Sequence, residues 1–141
     1  MIAFLALLGA LSVASPCDTG VCTCMRPPDA PSALERSTAA FTGTVVAVRD
    51  TMIPGGQFDR HVRKTTLRVH GVWKGVESAT VDVLSANGGS TCDFRLRNDA
   101  SYLVFAQERD GFLVTWLCSR TTLLSRAEDD LRALGEPVRR W

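Results

Sequence analysis

The stretch Cys17-Asp18-Thr19-Gly20-Val21-Cys22-Thr23-Cys24-Met25-Arg26-Pro27-Pro28 holds three of the chain's five cysteines. It has no apolar periodicity, so it cannot be held in place by burying a face. If ordered, it is held by covalent bonds to distant parts of the chain. The two remaining cysteines offer such bonds: Cys92 lies in a loop, and Cys118 ends an apolar, strand-like run. The stretch therefore reads as an exposed ridge tied down at two points, and the rest of the chain as the scaffold beneath it.

Upstream, residues 1–14 (MIAFLALLGALSVA) form an apolar run ending in small residues, Ser12-Val13-Ala14. The run is short for a membrane span and has the form of a secretory signal peptide. Cleavage after Ala14 is expected, because cleavage after Ser15 would put Pro16 in the place signal peptidase tolerates worst. Pro16 also stands where a lipoprotein would need a small residue before Cys17. Residues 15–141 then form a single exported domain, secreted or in the cell envelope, with no membrane span after signal removal. An oxidising compartment makes disulfides the default, and an odd number of cysteines leaves one thiol over.

At 141 residues the chain has room for one sizeable core. Its net charge of +1 provides no basic face for nucleic acid and no polybasic membrane patch. Pro27, Pro28 and Pro31 keep the backbone extended after the ridge. Ser32 and Glu35 have capping-box spacing and predict a short helix to about Ala40. Strand character follows at Phe41 to Arg49, rich in Val and Thr, and a loop is expected over residues 50–60 around Pro54-Gly55-Gly56. From Thr65 to Trp73 the pattern alternates, with Leu67, Val69 and Trp73 on one face and Arg68 and His70 on the other. Lys74-Gly75 turns the chain, and Ala79, Val81 and Val83 alternate with Thr80 and Asp82.

Asn87-Gly88-Gly89-Ser90 forms a loop into Cys92. Residues 101–107 and 112–118 flank Glu108-Arg109-Asp110-Gly111, which has the composition of a hairpin turn. Ser125 and Glu128 repeat the capping-box spacing and open a last helix, with Ala127, Leu131 and Leu134 on one face and Gly135 as its stop. Five strands at short spacing and one late helix imply an all-β chain closing into a small barrel. The expected core comprises Val46, Val48, Leu67, Val69, Val81, Val83, Leu103, Phe105, Val114 and Leu131.

Catalytic signatures are missing. The chain has no Gly-x-Ser-x-Gly, no His-Glu-x-x-His and no glycine-rich phosphate loop. His61 and His70 fall in or beside one strand and read as surface residues. Cys22-Thr23-Cys24 lacks the second ligand pair that zinc requires. The chain is read as a non-enzyme without cofactor or metal of its own.

Cys22-Thr23-Cys24-Met25-Arg26-Pro27-Pro28 resembles the start of the inhibitory domain of tissue inhibitors of metalloproteinases, the netrin-like module family. The resemblance continues in Val45-Val46-Ala47-Val48, Val72-Trp73-Lys74-Gly75, Thr91-Cys92 and Phe112 to Ser119. It implies a five-stranded OB-type β-barrel with a short N-terminal and a C-terminal helix. It also implies disulfides Cys22–Cys92 and Cys24–Cys118, with Cys17 the unpaired thiol. In that family the first cysteine's amine and carbonyl chelate the catalytic zinc of the protease. The position of Thr23 enters the specificity pocket, and the loop before Cys92 adds contacts.

The protease-contact candidates are thus Cys22, Thr23, Cys24, Met25, Ser90 and Thr91. One departure matters: with cleavage after Ala14, residues 15–21 precede Cys22, whose nitrogen is then a peptide amide with no lone pair for zinc. Asp93 stands where a glycine is usual. The expected function is binding or inhibition of a zinc metalloendopeptidase. The alternative is a non-inhibitory extracellular or cell-envelope interaction module with the same fold.

Overall fold

The computed structural model describes residues 23–24, 28–57, 59–87 and 93–141. Among the described residues the chain is mostly β, with two short α-helices and a ring of hydrogen-bonded strands. Strand β1 (Ala39–Ile53) pairs antiparallel with β2 (Arg60–Lys74), and β2 pairs likewise with β3 (Thr80–Ala86). Strand β4 (Ser101–Arg109) runs antiparallel to β5 (Phe112–Val114), which lies parallel to β3 through Leu84 and Val114. The ring closes where Ala39 to Thr44 of β1 pairs with Ala106 to Ser101 of β4. Two short strands sit outside it: β6 (Thr122–Leu123) on β4 and β7 (Arg139–Arg140) on β2.

The expected hairpin turn is present. Arg109 pairs with Phe112 across Asp110 and Gly111, whose φ values of 52° and 85° are the left-handed pair a tight two-residue turn requires. Strands β1 and β2 run well past the predicted limits, so the loop expected over 50–60 shrinks to the tip between Ile53 and Arg60. Strand β5 stops at Val114, four residues short of Cys118 in the predicted run, because the chain then turns.

Period-two burial along β4 shows how the layers form. Tyr102, Val104 and Ala106 face one cluster with Phe41, Val45, Leu67, Val69 and Val83. Leu103 and Phe105 face a second cluster with Ala30, Ala33 and Ala127, against which Trp73, Leu131 and Leu134 pack. The helices therefore cover one outer side of the ring, leaving β4 buried on both faces.

Five of the expected core residues, Leu67, Val69, Val83, Leu103 and Phe105, are fully buried. Val81, Val114 and Leu131 are only half-buried. Val46 and Val48 are corrections: they are 45% and 38% exposed. A register shift between Val45 and Ala47 places one extra β1 residue against β2, which ends the alternation that buries Phe41 and Val45. Trp73 likewise leaves the face of Leu67 and Val69, because two further shifts near Phe41 put extra residues into β2 and bring Val72 inward instead.

Both predicted helix starts are also corrected. Helix α1 is Ala30–Arg36, and its N-cap is Asp29, whose Oδ1 accepts from the Ser32 amide at 2.9 Å. Pro31 fits the first turn, where its missing N–H is no loss. Ser37 ends α1, with its hydroxyl donating to the Ala33 carbonyl. Helix α2 is Glu128–Leu134, and Ser125 lies in a preceding 3-10 turn (Leu124–Arg126) rather than at a cap. Ala127 occupies the N-cap without a side-chain bond, and Glu128, Asp129 and Asp130 supply the negative charge a helix start favours.

The Ser32 hydrogen bonds hold the Asp29 carboxyl below its ordinary value, with smaller help from the charges of Arg120 and Arg36. A lowered native pKa means the cap stabilises the fold above the unfolded value of about 4 and fades as pH falls through the native value. Asp29→Ala should therefore lower the melting temperature at pH 7, with the gap to the parent narrowing by pH 2.5. An equal gap at both pH values would show that the charge of Asp29 is not what stabilises α1.

Candidate functional site

The site builds from Cys24 outward. Cys24 forms a disulfide with Cys118, at a Cα–Cα distance of 5.4 Å. Of the other ridge and loop candidates, Thr23 is described and exposed. Cys17, Cys22, Met25, Ser90, Thr91 and Cys92, and with them the expected Cys22–Cys92 bond, lie outside the described residues.

Cys118 sits in a turn closed by the Ser119 amide donating to the Trp116 carbonyl at 3.0 Å. Beneath that turn lies a buried trio of hydroxyls. Thr115 Oγ1 is 2.8 Å from both Ser119 Oγ and Thr121 Oγ1, and Ser119 donates to Thr121 at 3.0 Å. Thr121 Oγ1 accepts from the Phe105 amide at 2.9 Å, and the Phe105 carbonyl accepts from the threonine hydroxyls at 3.1 Å. Both backbone groups of a core residue are thus satisfied by the loop that carries the disulfide. Hydroxyl clusters buried this deeply hold position only when their bonds are made, which fixes the loop against β4.

The chain leaving the ridge is held a second time. Arg120 Nη1 donates to the Pro28 carbonyl at 2.6 Å, while Nε and Nη2 grip both oxygens of Asp130 at 2.9 and 2.7 Å. This fork–fork pair is half-shielded from water and raises the Arg120 pKa above its already high value, chiefly through the hydrogen bonds to Asp130. Arg120 itself has φ of 74°, an uncommon conformation for a side-chain-bearing residue, which the three bonds hold in place. Asp29 then caps α1, and Lys74 Nζ donates to the Leu34 and Glu35 carbonyls at the other end of that helix. Cys24, Pro28 and Asp29 are therefore held by a covalent bond, an arginine fork and a cap in turn.

This support has no local signature in the sequence. Asp130 reads as a helix-dipole residue, yet it also serves Arg120. The sign of the trio was its composition, small hydroxyl residues at the end of an apolar run. The histidines hold no common site. His70 Nε2 is 2.8 Å from Thr44 Oγ1, which also reaches Ser101 Oγ at 2.7 Å, while His61 is exposed on β2.

Among the described residues, no group of His, Cys, Asp and Glu side chains is placed to hold a metal ion. Nor is any helix among them long and apolar enough to cross a membrane. The disulfide is compatible with an extracellular location. A scan against models of protein families finds no match, and a search of curated proteins finds none.

Proposed function

We propose that this chain is an exported, non-enzymatic binding module of the netrin-like, tissue-inhibitor type, built on a five-stranded OB-type barrel. Its Cys22-Thr23-Cys24 ridge docks against a zinc endopeptidase. The supporting observation is the exposed Thr23 beside a Cys24 bonded to Cys118, with Arg120 holding Pro28 just downstream. Such fixing lowers the ordering cost of binding, which is what a docking ridge needs. The closed ring of five strands supports the barrel.

In this reading Thr23 enters the specificity pocket of the protease, and the carbonyl of Cys22 faces its zinc. Met25, Ser90 and Thr91 extend the contact. A chain beginning at Ser15 offers an amide at Cys22 and adds bulk against the protease, so it binds weakly. A chain beginning at Cys22 offers an amine of pKa about 8, partly neutral at pH 7 and able to take the open zinc position.

The test assays both forms against a panel of zinc endopeptidases. The form starting at Cys22 should inhibit at least one member, and the form starting at Ser15 should not reach nanomolar inhibition. Nanomolar inhibition by the longer form would overturn the chelation argument. If neither form inhibits, the chain is a non-inhibitory module that engages another extracellular or cell-envelope protein.

A further inference from the structure

Strand β1 runs on past the point where the ring closes. Its pairing with β4 ends at Thr44, and Val45 accepts from the Asp99 amide and donates to the Ala100 carbonyl. From Val46 to Ile53 the strand is paired with β2 along one edge, and among the described residues no strand lies along the other. That edge is open to water: residues 46–50 are all exposed, and so is Met52. Alternate residues of a strand turn their N–H and C=O groups to opposite edges, so this stretch offers a second strand an unused ladder.

The register with β2 sorts the side chains of the stretch by face. Val48 and Asp50 lie opposite Thr65 and Arg63, both buried, so Val48, Asp50 and Met52 stand on the inner side. Asp50 is matched there by Arg63 at 3.3 Å. On the outer side Arg49 lies directly opposite Lys64, a like charge. Lys64 has an acid of its own, Asp82 of β3, at 3.9 Å, whereas Arg49 makes no ion pair among the described residues. Outward from β3 the charges therefore run acid, lysine, arginine. Like charges on neighbouring strands repel and opposite ones attract, so an acid on an added strand completes the series.

A second copy of this chain does not supply that acid opposite Arg49. Directly opposed side chains share a face, so joining two such edges about a twofold axis opposes residues whose positions differ by an even number. Arg49 then never meets Asp50 of the other copy. An axis at the middle of the stretch sets Arg49 on Arg49, or Asp50 on Asp50.

We propose that residues 46–53 of β1 receive an extended segment of a partner protein as an additional strand, one in which acidic residues alternate with apolar and hydroxyl side chains. Backbone hydrogen bonds along the free edge hold the segment, and side chains set its sequence preference. One of its acids meets Arg49, and its apolar residues cover Val48 and Met52.

The probe is the synthetic peptide acetyl-Thr-Val-Glu-Thr-Glu-Val-Thr-amide, whose palindromic order suits either strand direction. It is titrated into the oxidised, isotope-labelled full chain and followed by amide chemical shifts. Two further peptides serve as comparisons, one with both glutamates replaced by lysine and one N-methylated at every residue. The acidic peptide should give saturable shifts within residues 46–53. The lysine peptide should bind at least fivefold more weakly, and the methylated one, which cannot donate to a ladder, should not bind. Arg49→Glu should remove the preference for the acidic peptide; the spectrum of the free variant checks that it stays folded. Shifts that lie elsewhere or do not saturate would overturn the proposal, as would equal binding of the acidic and lysine peptides. Binding of the methylated peptide would show contact without strand addition and overturn it too, and so would a preference that survives Arg49→Glu. A free chain that sediments as a dimer, and whose 46–53 amides shift on dilution, would give the edge to a second copy instead. None of these outcomes bears on the ridge.

Discussion

Gly75→Ala should cost the fold roughly 3 kcal/mol or more, among the largest losses any single methyl can cause here. Gly75 has φ of 72°, and a Cβ there would run into the Thr38 carbonyl, with the Ala39 Cα only 3.1 Å away. Neither obstacle can swing aside. The Thr38 amide donates to the Ala106 carbonyl at 2.9 Å, and its hydroxyl accepts from the Glu108 amide at 2.9 Å. Moving Thr38 therefore disturbs the seam where β1 closes onto β4. Gly56→Ala supplies the control, since Gly56 has nearly the same φ, 73°, but no atom within 4 Å of an added Cβ. That variant should lose only the conformational part, roughly 1 kcal/mol. Urea denaturation of both variants checks the difference; equal losses would mean that the seam yields freely.

Replacing Cys24 and Cys118 together by alanine should destabilise the chain by about 4 to 5 kcal/mol in the chain-entropy account, because the bond spans 94 residues of sequence. Against a typical total of about 5 to 15 kcal/mol, this alone brings the chain near its unfolding limit. The loosening should be local as well as global. Arg120 still grips the Pro28 carbonyl and Asp29 still caps α1, so new protease cuts should fall before Pro28 and not within Ala30–Arg36. A loss under about 1 kcal/mol in urea denaturation, or cuts spread through α1, would contradict this account.

The parts of the fold that could be read from the sequence are those where a local rule had no competitor. Asp110-Gly111 supplies two residues that tolerate positive φ between two apolar runs, and the turn is found there. The alternation of Leu67 and Val69 with Arg68 survives because β2 is regular at that point. Val46, Val48 and Trp73 depart from expectation because register shifts depend on the partner strand, and no period within one strand reveals them. At the helix starts two rules competed. Asp29 won over Ser32 because Pro31 belongs in a first helical turn, a position the Ser32 start would have left outside. Ser125 is no cap because it lies inside a 3-10 turn, Leu124–Arg126, that ends just before α2.

At the site, the pairing of Cys24 with Cys118 was legible only through the resemblance, since the residues alone say that the ridge is tied and not to what. Its support was not legible. Arg120 and Asp130 are ten residues apart and meet only because α2 folds back beside the Cys118 turn.

The hydroxyl trio bears on how this chain acquires its bond. An odd set of cysteines admits many wrong pairings during oxidation. Thr115, Ser119 and Thr121 lock the Cys118 turn to Phe105 through contacts that involve no sulfur. Arg120 holds the Pro28 carbonyl, four positions after Cys24 in the chain, beside the same turn, again without sulfur. The scaffold can therefore present the two thiols to each other before either is oxidised. Partner choice is then made by the folded backbone, and the oxidant only seals it.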